Sequence, residues 1–277
     1  MKKQLCIIFS NGQGLGVQHF LNKSPHFANY YDIIFLCNYK SEWQEKKIPS
    51  ELLKNASVVI YQDLLNNDRH LKFKDIGKFI HSSSRLISFP NIYFSGLWPF
   101  FEEGANILSG EEILDDINKG EGFKSLIRKF CSLSLELDFD KRFSNSKQQL
   151  IHNESNTDIK ISDFILEHIH KEKLFLTQNH PTSIVFAYLV NQILSLLNFP
   201  RISCDCTNTN EANLPGYWPI SPYDSNYYNF SYQKIPDENW KFFYSFLIAK
   251  IYYGMGITNR PLQRFFVKEY TKFLTYT

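Results

Sequence analysis

No stretch of this sequence is apolar for long enough to cross a bilayer, and neither sign of charge dominates it. The N-terminal apolar run, Leu5 to Phe9, covers only five residues, short of a signal-peptide core, so a cytoplasmic protein is expected. Trp240 to Tyr253 is the most hydrophobic late segment, but Lys241 and Lys250 interrupt it. It reads as a buried, aromatic-rich helix rather than a transmembrane segment. Lysine and arginine total 30 against 28 aspartates and glutamates, a formal net charge of +2, so no global field favours nucleic acid. Five cysteines is an odd count, and Cys6 and Cys37 fall inside predicted strands, which argues against a disulfide framework. Cys204-Asp205-Cys206 offers too few ligands for a structural zinc, and His168 and His170 share no helix face, so no metal is expected.

What is present is ample material for a core: 43% of the 277 residues are hydrophobic and 16% aromatic, the composition of a folded α/β protein. The first hundred residues alternate apolar runs with helical patterns. Strands are expected at Gln4 to Phe9, Asp32 to Cys37, Ser57 to Tyr61 and Arg85 to Phe89. Helices are expected near Gly14 to Leu21, Glu51 to Asn55 and Lys74 to His81. Such alternation predicts right-handed crossovers and a parallel, Rossmann-like sheet with helices on both faces. A helical insertion is expected over 101–158, with helices at Glu111 to Lys119 and Gly122 to Leu135, and with Asn145 to Asp158 as an exposed loop because it is rich in Asn, Ser and Gln. A helix at Ile159 to Lys171 and a strand at Leu174 to Thr177 then return the chain to the sheet over 159–200. Thr182 or Ser183 is placed to cap the next helix, which runs to Leu197. The remainder, 201–277, reads as a proline-rich loop and two C-terminal helices, near Asp237 to Tyr253 and Pro261 to Leu274. One domain over 1–277 is expected.

Two loops carry chemistry. Ser10-Asn11-Gly12-Gln13 and Thr177-Gln178-Asn179-His180-Pro181 each follow a strand and precede a helix, where open α/β sheets place their sites. Gly12-Gln13-Gly14-Leu15-Gly16 has the wrong glycine spacing for a dinucleotide fingerprint, and no acidic residue ends the second strand. The loop is instead a cluster of donors: Asn11, Gln13 and the N–H groups entering the first helix suit a carbonyl oxygen or a developing oxyanion. His180 is the candidate base, since a neutral imidazole removes a hydroxyl proton near physiological pH. Asn179 beside it either orients the ring or supports an oxyanion. The aromatic segment Phe89 to Phe100 is expected to wall a pocket, with Tyr93 and Trp98 as stacking surfaces and Asn91 and Ser95 as polar contacts. Asn11, Gln13 and His180 are expected to converge at the strand ends of one sheet.

In their order along the chain, Ser10-Asn11-Gly12-Gln13, Tyr61-Gln62, the Phe89 to Pro99 segment, and Ile161-Ser162-Asp163-Phe164-Ile165 followed by Leu174 to Pro181 resemble the WcbI family of capsular polysaccharide biosynthesis proteins. Members of that family are associated with coenzyme A and acetyl transfer. The first segment answers to the family's Gly-Asn-Cys-Gln, and the resemblance spans residues 4 to 197. The family is also distantly similar to SGNH hydrolases, whose nucleophile follows the first strand and whose histidine comes late. On that analogy the nucleophile position is Gly12, which has no side chain to form an acyl-enzyme, while Ser10 occupies the family's glycine position.

The resemblance implies an SGNH-like sheet and a bacterial enzyme of capsular polysaccharide biosynthesis. Its acyl donor would be acetyl-CoA and its acceptor a sugar or glycan hydroxyl, with no metal and no nucleic acid. His180 is then the base, and Asn11 and Gln13 serve the oxyanion. Ser10, Gly12, Gly14, Gln62, Asn91, Tyr93, Ser95, Trp98 and Asn179 are the expected substrate and cofactor contacts. Two other readings stand beside this one: a coenzyme A- or glycan-binding member that lost its chemistry with the cysteine, and a glycan deacetylase or esterase.

Overall fold

The computed structural model describes residues 2–43, 46–62, 64, 70–101, 110–203, 218–233 and 239–253. Its fold is α/β, built on a four-stranded parallel sheet. The strands are β1 (Gln4–Ser10), β2 (Tyr31–Cys37), β3 (Ala56–Tyr61) and β4 (Arg85–Ser88), in the order β2-β1-β3-β4. The pairings Ser10 with Cys37, Phe9 with Tyr61 and Tyr61 with Ser88 align the four carboxyl ends. Asn11, Asn38 and Gln62 therefore leave the sheet along one edge. Strand order reverses between β1 and β3, which makes their carboxyl ends the topological switch point.

β1 is buried on both faces, as a central parallel strand must be. Ile7 and Phe9 pack with Leu36 and Val59 and with Leu53 and Ile76, which belong to α3 (Ser50–Lys54) and α4 (Phe73–Gly77). Ile8 and Ser10 face the other way, toward α1 (Gln13–Asn22), where a side chain on Gly14 would strike Ser10, Phe35 and Ile8. The alternation of period two thus assigns one helical layer to each face. A further short helix, α2 (Pro25–Tyr30), is capped by the Ser24 hydroxyl, which accepts from Phe27 N–H at 3.4 Å.

The chain forms two compact units. The first comprises Met1–Ile92, Leu150–Glu167 and Pro181–Thr209; the second comprises Tyr93–Gln149, His168–His180 and Asn210–Thr277. The second unit draws on α5 (Glu111–Asn118), α6 (Phe123–Cys131), most of α7 (Phe139–Glu154), α10 (Pro222–Tyr228) and α11 (Trp240–Tyr252), while α8 (Ser162–His168) and α9 (Ser183–Leu196) serve the first. Phe130 anchors the second unit's interior, its ring 4.9 Å from Tyr244 and 5.0 Å from Tyr223.

Three local expectations change. The Asn-rich stretch from residue 145 is not a loop: it continues α7 to Glu154, because Phe139, Ser146 and Leu150 recur on one buried face and that helical periodicity outweighs the polar composition. The strand near 174 exists as β5 (Phe175–Thr177), but it pairs with β6 (His180–Pro181) in a separate two-stranded sheet instead of extending the parallel one. Thr182 occupies the cap position of α9 without a side-chain capping bond. Cys204-Asp205-Cys206 and the helix expected at Pro261 to Leu274 lie outside the described residues. Among the described residues no group of His, Cys, Asp or Glu could hold a metal, and no helix is long and apolar enough to cross a membrane.

Candidate functional site

In the first unit, the turn after β1 is held by a lattice of side-chain amides. Asn11 Oδ1 accepts from Gln13 N–H at 2.9 Å, closing the turn into α1, and Asn11 Nδ2 donates to Asn91 Oδ1 at 3.3 Å. Gln62, at the carboxyl end of β3, accepts from Asn11 N–H at 3.4 Å and donates to Gln13 Oε1 at 2.9 Å and to Pro90 O at 3.1 Å. Gln13 Nε2 donates to Ile92 O at 2.7 Å, and its Oε1 accepts from Ile92 N–H at 3.1 Å. Asn153 Nδ2 closes the set on Asn91 O at 2.9 Å. Residues 11, 13, 62, 91 and 153, dispersed in sequence, thus meet at the switch point.

The lattice sorts the predicted residues. Gln13 and Gln62 are buried and spend their amides on holding the turn and the 90–92 segment in place. Ser10 is fully buried, and its hydroxyl donates to Asn11 O at 2.9 Å. Gly12 is exposed, with right-handed helical dihedrals (φ −55°, ψ −20°), and a side chain added there would meet no atom within 4 Å. Around it the N–H groups of Asn11, Gln13, Gly14 and Leu15 are engaged, the last two on Asn11 O and Gly12 O. The Gly12 N–H, in an exposed residue at the start of α1, has no hydrogen-bond partner among the described residues.

Gly14 and Gly16 serve packing. A Cβ on Gly14 would lie 2.0 Å from Ser10 Oγ and 2.7 Å from Phe35, and one on Gly16 would lie 2.5 Å from the Phe186 ring. These glycines seat α1 against β1 and α9. The resemblance of the motif to a phosphate-binding loop reflects that packing.

In the second unit, β5 and β6 are joined by Gln178 and Asn179, so Thr177 and His180 flank a two-residue turn. Neither turn residue has positive φ, hence the turn is not of the primed types that prolong a hairpin. Pro181 then supplies no N–H, and β6 stops at two residues. Thr177 Oγ1 lies 2.6 Å from His180 Nδ1 and donates to Asn179 Oδ1 at 3.0 Å. The residue keeps an exposed edge, yet protein packed around the imidazole disfavours the charged ring and holds its pKa below the ordinary histidine value. Thr177 carried no sequence signal beyond its place at a strand end.

Tyr93, Ser95 and Trp98 stand in the interior of the second unit. Ser95 Oγ is 3.1 Å from Ser146 Oγ, and the Trp98 ring meets Trp218 edge-on at 5.5 Å. All three side chains are buried there.

A family model described as the polysaccharide biosynthesis enzyme WcbI matches residues 5–111 and 120–201. The chain belongs to the WcbI family of polysaccharide biosynthesis enzymes. The matched spans include every residue of the amide lattice and the Thr177 to His180 turn. The fold agrees: a solved WcbI structure superimposes with a TM-score of 0.67 over 91% of this chain and 94% of that one, at 15% identity. That WcbI is described as a polysaccharide biosynthesis enzyme, in its native form without a disulfide bond between coenzyme A and one of its cysteines. At such low identity the likeness establishes the fold alone. No curated protein matches the chain.

Proposed function

We propose that the protein transfers an acetyl group from acetyl-CoA to a sugar hydroxyl during polysaccharide biosynthesis. The observation that carries this reading is the placing of His180 at a strand end with Nδ1 2.6 Å from Thr177 Oγ1, where burial also disfavours the charged ring and lowers its pKa. Such a ring is poised to accept a proton at neutral pH.

Gly12 offers no nucleophile, so the acceptor hydroxyl attacks the thioester carbonyl directly. His180 takes the hydroxyl proton as the new C–O bond forms. The C–S bond then breaks, and the departing thiolate takes the proton from the imidazolium. Within the first unit, Gly12 N–H and the second Nδ2 proton of Asn11 are donors suited to an oxyanion, and Gln13 and Gln62 hold the turn that carries them. A base contributes about 10²–10⁴ in rate and one oxyanion donor about 10²–10³. Kinship with the WcbI family and with a WcbI described together with coenzyme A supports coenzyme A binding, which is tested first.

The test begins with a thermal melt. Coenzyme A at 100 times its dissociation constant stabilises a folded protein by about 2.7 kcal/mol. Release of free thiol from acetyl-CoA is then followed with and without a sugar acceptor. Acceptor-dependent release is expected, with His180→Ala lowering turnover by about 10²–10⁴ at unchanged coenzyme A affinity. A melt unmoved by millimolar coenzyme A refutes the reading. A shifted melt without turnover indicates a binding protein, and release without an acceptor indicates a hydrolase.

A further inference from the structure

We infer that Thr177 is a positioning residue that fixes the His180 proton on Nδ1, leaving the Nε2 lone pair as the basic site. The inference deepens the transferase reading and rests on it for its catalytic meaning, though not for the proton's position.

The argument is a count of protons. The Thr177 hydroxyl has one hydrogen and two acceptor lone pairs. Asn179 Oδ1, 3.0 Å away, can only accept, so the hydroxyl hydrogen goes there. The 2.6 Å contact from Thr177 Oγ1 to His180 Nδ1 then requires the hydrogen to lie on nitrogen. The chain runs Nδ1–H to Oγ1, then O–H to Asn179 Oδ1. A neutral imidazole carries one N–H, hence Nε2 is bare. Free histidine in water favours the opposite tautomer, with the proton on Nε2, so the arrangement is imposed by the fold.

Thr177 is buried at the end of β5, and the two-residue turn sets its distance to His180. The relay is therefore rigid on the strand side. It differs from the serine-protease arrangement, in which a buried carboxylate holds Nδ1–H. Here the holding groups are neutral, so they select the tautomer without strongly stabilising an imidazolium. That agrees with a ring whose pKa is depressed and not raised. It also gives Asn179 its part: the side chain orients the ring through Thr177.

The test is ¹⁵N NMR of the histidine rings in the full chain, with His180 assigned by the His180→Gln spectrum and recorded above its titration. The expected spectrum shows a protonated Nδ1 and an unprotonated Nε2. Thr177→Val removes the acceptor and should move the ring toward the Nε2–H tautomer, and Thr177→Ser should restore the wild-type pattern. With acetyl-CoA and acceptor, Thr177→Val should lower kcat at least about tenfold with little change in the acetyl-CoA KM, and Thr177→Ser should stay near wild type. A wild-type spectrum with the proton on Nε2, or a Thr177→Val spectrum identical to wild type, overturns the inference. The expected spectra in a protein that transfers no acetyl group uphold the proton assignment and defeat the transferase reading alone.

Discussion

Replacing Gly14 by alanine probes how closely α1 is seated on β1. The added Cβ would lie 2.0 Å from Ser10 Oγ, 2.7 Å from Phe35 Cε2 and 3.0 Å from Ile8 Cγ2. The last two belong to the sheet: fully buried Ile8 has no room to move, the half-buried Phe35 ring must turn aside, and Ser10 can yield only by giving up its bond to Asn11 O. Overpacking of this kind costs about 1–3 kcal/mol, and the lost hydrogen bond adds about 1 kcal/mol. The gain in helix propensity returns no more than about 1 kcal/mol. The net expectation is destabilisation by about 1–3 kcal/mol. Gly12→Ala is the internal control. Its Cβ meets nothing within 4 Å and its dihedrals suit any residue, so a smaller unfolded-state entropy leaves it neutral or up to about 1 kcal/mol more stable. Gly16→Ala falls between them, because the obstructing Phe186 ring is only partly buried and can give way. Urea denaturation followed by circular dichroism ranks the midpoints: Gly12→Ala highest, Gly16→Ala next, Gly14→Ala lowest. A Gly14→Ala midpoint equal to or above that of Gly12→Ala would refute the seating described for α1.

Gln62→Leu strips the partners of Asn11 N–H and Pro90 O and should destabilise the protein by about 2–4 kcal/mol; a midpoint at wild type would mean the lattice carries no stability. Asp224 is fully buried and caps α10, and desolvation pushes its carboxyl up to about 7 despite the bonds it accepts from Ser221. The folded state thus keeps a proton that the unfolded chain releases near 3.8. Stability should fall as pH rises between those values, by at most about 1.4 kcal/mol per pH unit, and unfolding curves of Asp224→Asn should lack that fall. His180 has the opposite sign. Its depressed pKa means its contribution is intact above the unfolded value of 6.5 and is lost as pH drops toward the folded one, a slope that His180→Gln should abolish. If His180 is the base, the rate should show one acid limb with an inflection below 6.5. An inflection above that value would place the base elsewhere. Ser10→Ala should keep most of the transferase rate, since its hydroxyl is spent on Asn11 O.

The parallel sheet was legible because the inner strands β1 and β3 carry continuous apolar runs, each closed by a polar residue, as burial on both faces demands, while the half-exposed β2 and β4 follow in alternation with helical patterns. The turn residues were legible for the same reason: Asn11 and Gln62 follow strands of unmistakable type. The partner of β5 was not legible. Three apolar residues are compatible with a parallel core strand or with a short hairpin arm, and only the backbone of the 178–179 turn decides between them. Tyr93 and Trp98 are ambiguous in sequence because aromatic residues between prolines look alike whether they line a pocket or fill a core. The glycines at 12, 14 and 16 form one motif in sequence but hold three different situations in space. That separation depends on Ser10, Phe35 and Phe186, whose proximity no local reading supplies. Thr177 was overlooked because a hydroxyl gains meaning only from the acceptor and the ring on either side of it.

The composition of the lattice explains why Gly12 is the exposed point of the turn. Its side chains, from Asn11, Gln13, Gln62, Asn91 and Asn153, are all amides, and each supplies both a donor and an acceptor. Amides joined donor to acceptor close a buried network without burying a charge, which would carry a desolvation cost at every pH. The lattice is therefore insensitive to pH. It fixes the peptides on either side of residue 12 before any ligand arrives, so aligning them adds no reorganisation during a reaction. With the neighbouring N–H groups engaged, the turn's unspent donors are the peptide N–H of Gly12, the one position in the turn where a side chain is absent, and the second Nδ2 proton of Asn11. On a separate loop, Thr177 holds His180, whose pKa burial keeps below the ordinary histidine value.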